Sequence, residues 1–437
     1  MSSVRLREII ARTARAVGFM HSGASLESAL ALATSGEAPE TRAAVQSCLY
    51  TATRRVMAGN ALLARLCERA PAATVKNTLL VALALLIEEP EKSYVTVSET
   101  ISALRSDAST ARAAGFANAV LRRFGREREA LLPAIQQDDT VRFNAPRWWI
   151  DRLRKELGRD AADAVMALEQ NRPPLTIRIN ARKTSVDDWC RRATAEGFSA
   201  TPVGDDAVIL APPAPVSRIP GFSDGLVSVQ DAGAQMAARM LAPEPGARVL
   251  DACAAPGGKT AHLLEHFDID LTALEVDASR AGRIAENLSR LALPACTVQV
   301  ADAADVSSWW DGAPFDCILL DAPCTASGIV RRHPDIPFVR RPDDIASLAK
   351  QQMELLEALW PLVKLGGKLL YVVCSVFEAE GKSQIDAFLS RHSGCGIGKP
   401  AGGIPGRFAL LPQQDDTRAG FPLVHDGFYY ALLVKER

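Results

Sequence analysis

ARVLDACAAPGGKTAHLLE, residues 247–265, reads as a strand ending at Asp251, a turn of small residues, and a helix that begins near Thr260. Three further apolar runs follow it: LTALEVD (271–277), DCILLDAP (316–323) and GKLLYVVCS (367–375). Amphipathic stretches separate them. Strands alternating with helices in this way predict a parallel, doubly wound sheet, so residues 227–437 are expected to form an α/β, Rossmann-like domain. In such sheets ligands bind beyond the carboxyl ends of the strands, where close backbone approach requires small residues. Ala254, Ala255, Pro256, Gly257 and Gly258 supply them. The turn has neither the G-x-G-x-x-G spacing of dinucleotide sites nor the G-x-x-x-x-G-K-S/T of phosphate loops, which disfavours a pyrophosphate ligand and leaves an adenosine-bearing one without phosphates. Glu275, at the end of the second strand, is placed to accept hydrogen bonds from a ribose diol, with Asp277 two positions on. Asp302, after the run CTVQV, could meet an adenine amino group. A carboxylate at a strand end is also a common helix cap.

Upstream the texture changes twice. Residues 1–138 are rich in Ala, Leu and Arg with few prolines, and predict an all-α domain. Leu6, Ile9, Ile10, Val17 and Met20 fall at helical spacing, with Thr13 the one polar gap, so the N-terminus is expected to be a first helix and not a transit peptide. The run Thr78 to Ile87 is about half the roughly 20 residues a membrane span needs and reads as a buried helix, so no membrane is implied. Arg122, Arg123, Arg126 and Arg128 cluster near one end of a helical stretch, which composition alone reads as a solvated basic face. Residues 139–226 carry paired prolines between short β-like runs (Leu175 to Ile179, Ala207 to Leu210) and are expected to form a small α+β connector. Gly394 to Gly406 is expected to be a loose loop.

Nine cysteines, odd in number and without a C-x-x-C pair, argue against a disulfide framework or structural zinc and for a reducing, cytoplasmic setting. Six histidines show no ligand spacing, so no metal is expected. A formal net charge of -1 gives no overall basic signature for a nucleic-acid partner. No protein partner is evident from the sequence.

Two strand-end cysteines define the chemistry. Cys324, in DAPCTASG (321–328), and Cys374, in VVCS (372–375), both fall where parallel strands deliver side chains to a ligand cleft. A lone cysteine is usually a small buried hydrophobe, and Cys48, Cys67, Cys190, Cys296, Cys317 and Cys395 are read in that way. Two at one ligand-facing edge suit covalent catalysis on a pyrimidine. A thiolate adding to carbon 6 of cytosine makes carbon 5 nucleophilic toward a sulfonium methyl. Asp321 is placed to hold ring nitrogen 3, and Cys324 to take the carbon-5 proton so that the Cys374 thiol can leave.

These motifs, together with VQDAGAQ (229–235), DACAAPGGKT (251–260), RRHPDI (331–336) and DGFYYALLVK (426–435), resemble the Sun/nucleolar-protein, RsmB-type family of RNA cytosine-5 methyltransferases. The helical N-terminal third, especially FANAVLRRF (116–124), resembles the NusB-like RNA-binding domain fused to the bacterial enzymes that act on small-subunit (16S) ribosomal RNA. The resemblance implies S-adenosylmethionine as cofactor and RNA as partner. It implies cofactor contacts from Cys253, Ala254, Ala255, Pro256, Gly257, Gly258, Lys259, Glu275, Asp302 and Asp321, with Cys374 as nucleophile and Cys324 assisting product release. Val373 stands where the family usually has Thr, Glu275 where it has Asp, and Ala301-Asp302-Ala303 where it has a Gly-rich turn. Arg331, Arg332 and His333 follow the Cys324 loop and are expected to meet RNA phosphates. The rival readings are a DNA cytosine-5 methyltransferase with Cys324 as nucleophile, and a non-catalytic RNA-binding assembly factor.

Overall fold

A computed structural model describes residues 5–436. The chain divides into two compact units, one holding residues 1–171 and 330–340, the other 172–329 and 341–437. Residues 1–4, the first of the expected N-terminal helix, lie outside the described part.

The first unit is helical: α1 (Leu6–His21), α2 (Leu26–Ala33), α3 (Pro39–Arg54), α4 (Val56–Leu66), α5 (Ala73–Glu88), α6 (Ser93–Arg105), α7 (Ala114–Ile135), α8 (Asp139–Arg142), α9 (Arg147–Leu157) and α10 (Arg159–Glu169). The apolar run in α5 is buried from Thr78 through Ala84, which is what a helix apolar on all faces requires in water. Of the stripe foreseen in α1, Ile10 and Val17 are buried and Leu6, Ile9 and Met20 partly buried, and Thr13, the polar gap, is buried with them. Among the described residues no helix is long and apolar enough to cross a membrane.

Within residues 139–226 the chain passes from the first unit to the second. Helices α8 to α10 belong to the first unit, while the strands belong to the second. There β1 (Leu175–Ile179), α11 (Val186–Ala195), β2 (Ser199–Pro202), β3 (Ala207–Ala211) and β4 (Val227–Val229) form a small antiparallel sheet in the order β2-β3-β1-β4, faced by α11. The buried residues of β1 and β3 pack on Trp189 and Ala193 of α11.

The larger sheet is built from β5 (Arg248–Asp251), β6 (Asp270–Glu275), β7 (Thr297–Val300), β8 (Phe315–Asp321), β9 (Val363–Val373), β10 (Cys395–Ile397), β11 (Arg407–Leu410) and β12 (Phe428–Lys435). Helices α12 (Ala232–Leu241), α13 (Gly258–His266), α14 (Ala278–Leu291), α16 (Pro342–Leu359) and α17 (Lys382–Arg391) belong to it, while α15 (Ile336–Val339) lies in the first unit. The order is β10-β12-β9-β8-β5-β6-β7, with β11 pairing β12. Strands β5 to β9 are parallel, as expected. The strands at the other edge are not: β12 runs antiparallel to β9, and β10 and β11 run antiparallel to β12. The stretch expected to be a loose loop thus contributes β10. The chain winds outward from β5 through β6 to β7, then returns to β8 on the other side. That reversal leaves a crevice beyond the ends of β5 and β8, where open α/β sheets bind ligands.

Arg178 of β1 joins the small sheet to this framework. It is fully buried and its guanidinium meets Glu265 of α13 through two bonds, Nε at 2.8 Å and Nη2 at 2.7 Å. Its remaining nitrogen, Nη1, donates to Gln230 and to the backbone carbonyl of Gly258. Removing one member of such a pair strands a buried charge. Glu265→Ala is therefore expected to cost about 3–5 kcal/mol, measured as a lowered denaturant midpoint for the second unit.

Candidate active site

The parallel register sets the site. It pairs Asp251 with Leu319, Glu275 with Val300, and Asp321 with Val372, so the carboxylates of β5, β6 and β8 all stand at the carboxyl end of the sheet. A cavity of about 310 Å³ opens there, within the size range of small-ligand sites. Cys253, Ala255, Glu275, Asp302, Asp321, Cys324 and Cys374 all line it.

After Asp251 the chain turns through Cys253 to Pro256 and enters α13 at Gly257, whose φ of 90° is a left-handed conformation that glycine adopts without strain. A Cβ there would meet the Ile284 backbone at 3.2 Å. Asp251 is fully buried, accepts a 2.6 Å bond from the Thr260 hydroxyl, and has its pKa pushed up to about 7, chiefly by burial. Burial also raises the Cys253 thiol, reinforced by the carboxylates around it. Of the residues expected to contact the cofactor, Ala254, Pro256, Gly257, Gly258 and Lys259 are not among those that line the cavity. Glu275 accepts the Asp277 N–H at 3.1 Å and pairs with Arg280 at 3.2 Å. Arg280 also reaches the Ala255 carbonyl, so it ties strand end to turn. Asp277 is a helix cap: its carboxylate accepts the N–H groups of Ser279 and Arg280 at the start of α14. Asp302 accepts the Ala304 N–H at 2.9 Å.

Lys259 reaches from the first turn of α13 to Asp321 at 2.6 Å. Burial works against its charge, but the Asp321 carboxylate outweighs this and raises its pKa, and Cys374 acts in the same direction. The two sulfurs lie 3.4 Å apart. They come from one loop after β8 and one after β9, laced by a 3.0 Å bond from the Gly328 N–H to the Cys374 carbonyl. Ala326, at φ 61°, makes the turn that brings Gly328 back. Cys324 is buried and its thiol is pushed well above the usual range, first by its hydrogen bond to Cys374 and then by burial. Cys374 is half-buried.

Two expectations need correction. Arg331 is only 1% exposed and lies in the helical unit, where its carbonyl accepts a 2.7 Å bond from Arg54. A side chain so enclosed is not presented to a phosphate. Arg332 and His333 are partly exposed. The histidines are not all scattered: His262 and His266, one turn apart on α13, both bring Nε2 to Asp206 Oδ2, at 3.3 Å and 2.9 Å. Sequence separation hid this trio, the one group among the described residues close enough to hold a metal. Burial lowers His262 to about 3, while Asp206 raises His266. Asp206 thus acts as a shared acceptor that fastens the small sheet to α13. Arg178, Arg280 and Glu380 were not singled out from the sequence. Only the fold brings each to partners outside its local pattern.

The family described as 16S rRNA methyltransferase RsmB/F matches residues 238–434. The RsmF/B-like ferredoxin-like domain matches 145–217, and the NusB family matches 5–126. Ribosomal RNA small subunit methyltransferase B of Pseudomonas syringae pv. tomato is 40% identical, over 97% of this chain and 96% of that protein. The protein of the same name from Xanthomonas campestris pv. campestris is 41% identical over 94% and 93%. Among solved structures, PH0851 superposes with a TM-score of 0.75 at 23% identity, covering 99% of both chains, which supports the fold. Likeness of this kind from end to end, with all three parts in the same order, leaves one assignment: the chain belongs to the RsmB family of ribosomal RNA small subunit methyltransferases.

Proposed function

We propose that this chain methylates carbon 5 of a cytosine in 16S ribosomal RNA through a covalent adduct between Cys374 and carbon 6 of the base. The observation that carries the reading is the meeting of Cys324, Cys374, Asp321, Glu275 and Asp302 around one cavity. The donor set suits S-adenosylmethionine. Carboxylates at three strand ends answer a ribose diol and an amino-bearing base, and the Gly257 turn permits close approach. When bound, the cofactor supplies a methyl group on a sulfonium centre.

Every other step falls to the protein and the base. Cys374 adds to carbon 6, forming a carbon–sulfur bond and pushing electron density onto carbon 5, which takes the methyl group. The Lys259 ammonium, paired with Asp321, passes a proton through that carboxylate to ring nitrogen 3 as the carbon–sulfur bond forms, and the proton returns when that bond breaks. Cys324, once its own proton has passed to solvent, takes the carbon-5 proton as a thiolate, the ring double bond re-forms, and the carbon–sulfur bond breaks to release Cys374 as a thiolate. The division of labour between the sulfurs follows from their surroundings. Cys324 is buried, with its pKa raised and its proton held toward Cys374, whereas Cys374 is the more exposed and has the Lys259 ammonium for a neighbour. A cationic, partly exposed setting is what favours a thiolate. The DNA-methyltransferase alternative, with Cys324 as nucleophile, asks the deeper thiol, whose pKa is raised, to attack.

A target atom in the ring edge must be brought out of any stack to reach the cavity. Holding the RNA falls in part to the helical unit. A groove of about 910 Å³ between α6 and α7 is lined by Arg105, Arg122, Arg126 and Arg128, with no carboxylate among its lining residues. Tyr94, at its edge, is 84% exposed and offers a stacking face. Arg332 and His333 are further candidates for phosphate contact.

Cys374→Ala is expected to abolish tritium transfer from labelled cofactor to in-vitro-transcribed 16S RNA. Cys324→Ser should accumulate an RNA–protein adduct that survives denaturing electrophoresis and requires Cys374; dependence on Cys324 instead would reverse the roles. Glu275→Ala should weaken cofactor binding by about 10–100-fold, the loss of charged hydrogen bonds of about 1.5–3 kcal/mol, measured by calorimetry. The double variant Arg122→Glu/Arg126→Glu should raise the KM for RNA while sparing cofactor affinity. It should also flatten the salt dependence of RNA binding by about 1.4 in slope, for two lost phosphate contacts.

A further inference from the structure

Four to six residues after Cys374, the chain makes a single helical turn over Glu378–Glu380 that buries a carboxylate beneath both cysteine loops. Glu380 is 0% exposed. Its Oε1 accepts the backbone N–H of Thr325 at 2.8 Å and the Gln352 amide at 3.2 Å. Its Oε2 accepts the Thr325 hydroxyl and, at 2.6 Å, the Ser375 hydroxyl. Thr325 follows Cys324 directly, and Ser375 follows Cys374. One carboxylate therefore grips the residue after each sulfur-bearing residue.

The surroundings reinforce the grip from both sides. Gln352 of α16 also donates to the Pro323 carbonyl at 2.9 Å, so the Cys324 loop is held before and after the cysteine. Tyr371 of β9 donates to the Gln352 side chain at 3.1 Å and to the Glu380 carbonyl at 2.6 Å, which anchors the turn to the strand that delivers Cys374. The Ser375 hydroxyl is shared with Ser327 at 2.9 Å, and Ser327 accepts the Val376 N–H at 3.0 Å. Four donors converge on one buried anion. Burial pushes the Glu380 carboxyl up, and the Ser375 and Thr325 bonds oppose that rise.

We infer that Glu380 is a positioning residue whose buried carboxylate sets the separation and orientation of Cys324 and Cys374, and so times attack and release. It does not line the cofactor cavity, and its carboxylate bonds to Thr325, Ser375 and Gln352. Its hold on the geometry passes through Thr325 and Ser375, while its charge also raises the Cys324 thiol. Two loops on separate strands have no covalent reason to hold their sulfurs 3.4 Å apart; a shared acceptor supplies one. A misplacement of about 1 Å can cost about a hundredfold in rate, because reacting groups must sit in near-attack geometry.

The inference rests on the two-cysteine reading above, and its test separates the two. With full-length protein and in-vitro-transcribed 16S RNA, Glu380→Gln is expected to lower kcat at least 30-fold, because an amide cannot accept at all four positions. RNA KM and calorimetric cofactor affinity should stay within threefold. Thr325→Val removes one tie at nearly constant volume and should lower kcat about tenfold, and Thr325→Ser should recover most of that loss. In the Cys324→Ser background, Glu380→Gln should also slow adduct formation in a single turnover. A wild-type kcat in Glu380→Gln, or equal losses in Thr325→Val and Thr325→Ser, would overturn the positioning role. So would a fall in cofactor affinity matching the fall in rate. Absence of methylation by the wild-type chain would instead strike at the proposed function.

Discussion

The guanidinium of Arg178 is the point on which the second unit is assembled. A fully buried cation is tolerated only when its charge and its donors are answered, and here Glu265, Gln230 and the Gly258 carbonyl answer them. The three partners come from different places: a helix behind the sheet, the segment leading into α12, and the turn that opens α13. Because Gly258 belongs to that turn, the ion pair that fixes the small sheet also fixes the backbone that must approach a cofactor. Asp206, accepting from His262 and His266, makes a second attachment between the same two parts. Both attachments land on α13, so the small sheet supports the helix that carries Lys259.

The site itself was legible wherever a residue stands at the end of a parallel strand. There the sequence pattern of apolar run, acidic or sulfur-bearing residue and small turn residues has a single geometric meaning, and Glu275, Asp321, Cys324 and Cys374 follow it into one cavity. What stayed hidden depended on distant partners. Arg178 reads as the polar alternate of a half-exposed strand in LTIRI, yet it is buried because Glu265 lies 87 residues on. Arg331 reads as a basic loop residue beside Arg332, yet its segment is taken up into the helical unit, where Asp335 accepts the Leu26 N–H at 2.9 Å and Arg54 holds the Arg331 carbonyl. Gly394 to Gly406 has loop composition, but an available edge on β12 turns part of it into a strand. Local texture reports propensity, and long-range pairing overrides it.

The antiparallel edge has a similar logic. β9 is the strand that ends at Cys374, and an edge position would leave one side of it without ladder partners. β12 pairs it along six residues, from Lys368 to Val373, so the strand that leads to Cys374 is an interior strand with both neighbours in place. β12 also sends Tyr430 to the Gly233 carbonyl at 2.7 Å, which fastens the sheet to the start of α12. The motif DGFYYALLVK, distant in sequence from both cysteine motifs, is thus the structural backing of the strand that delivers Cys374.

Two sulfurs at hydrogen-bonding distance pose a problem that the surroundings resolve. Two equivalent thiols would compete for one role, since either could ionise and attack. The bond to its neighbour, burial and the Glu380 carboxylate all raise the Cys324 thiol, while Lys259 lies on the side of Cys374. The asymmetry is electrostatic, and the charges that create it are carried by α13 and by the turn after β9. Under the proposed mechanism, what suits one sulfur to attack and the other to assist release is the charge each one faces, so the division of roles comes from the fold and not from the cysteines themselves.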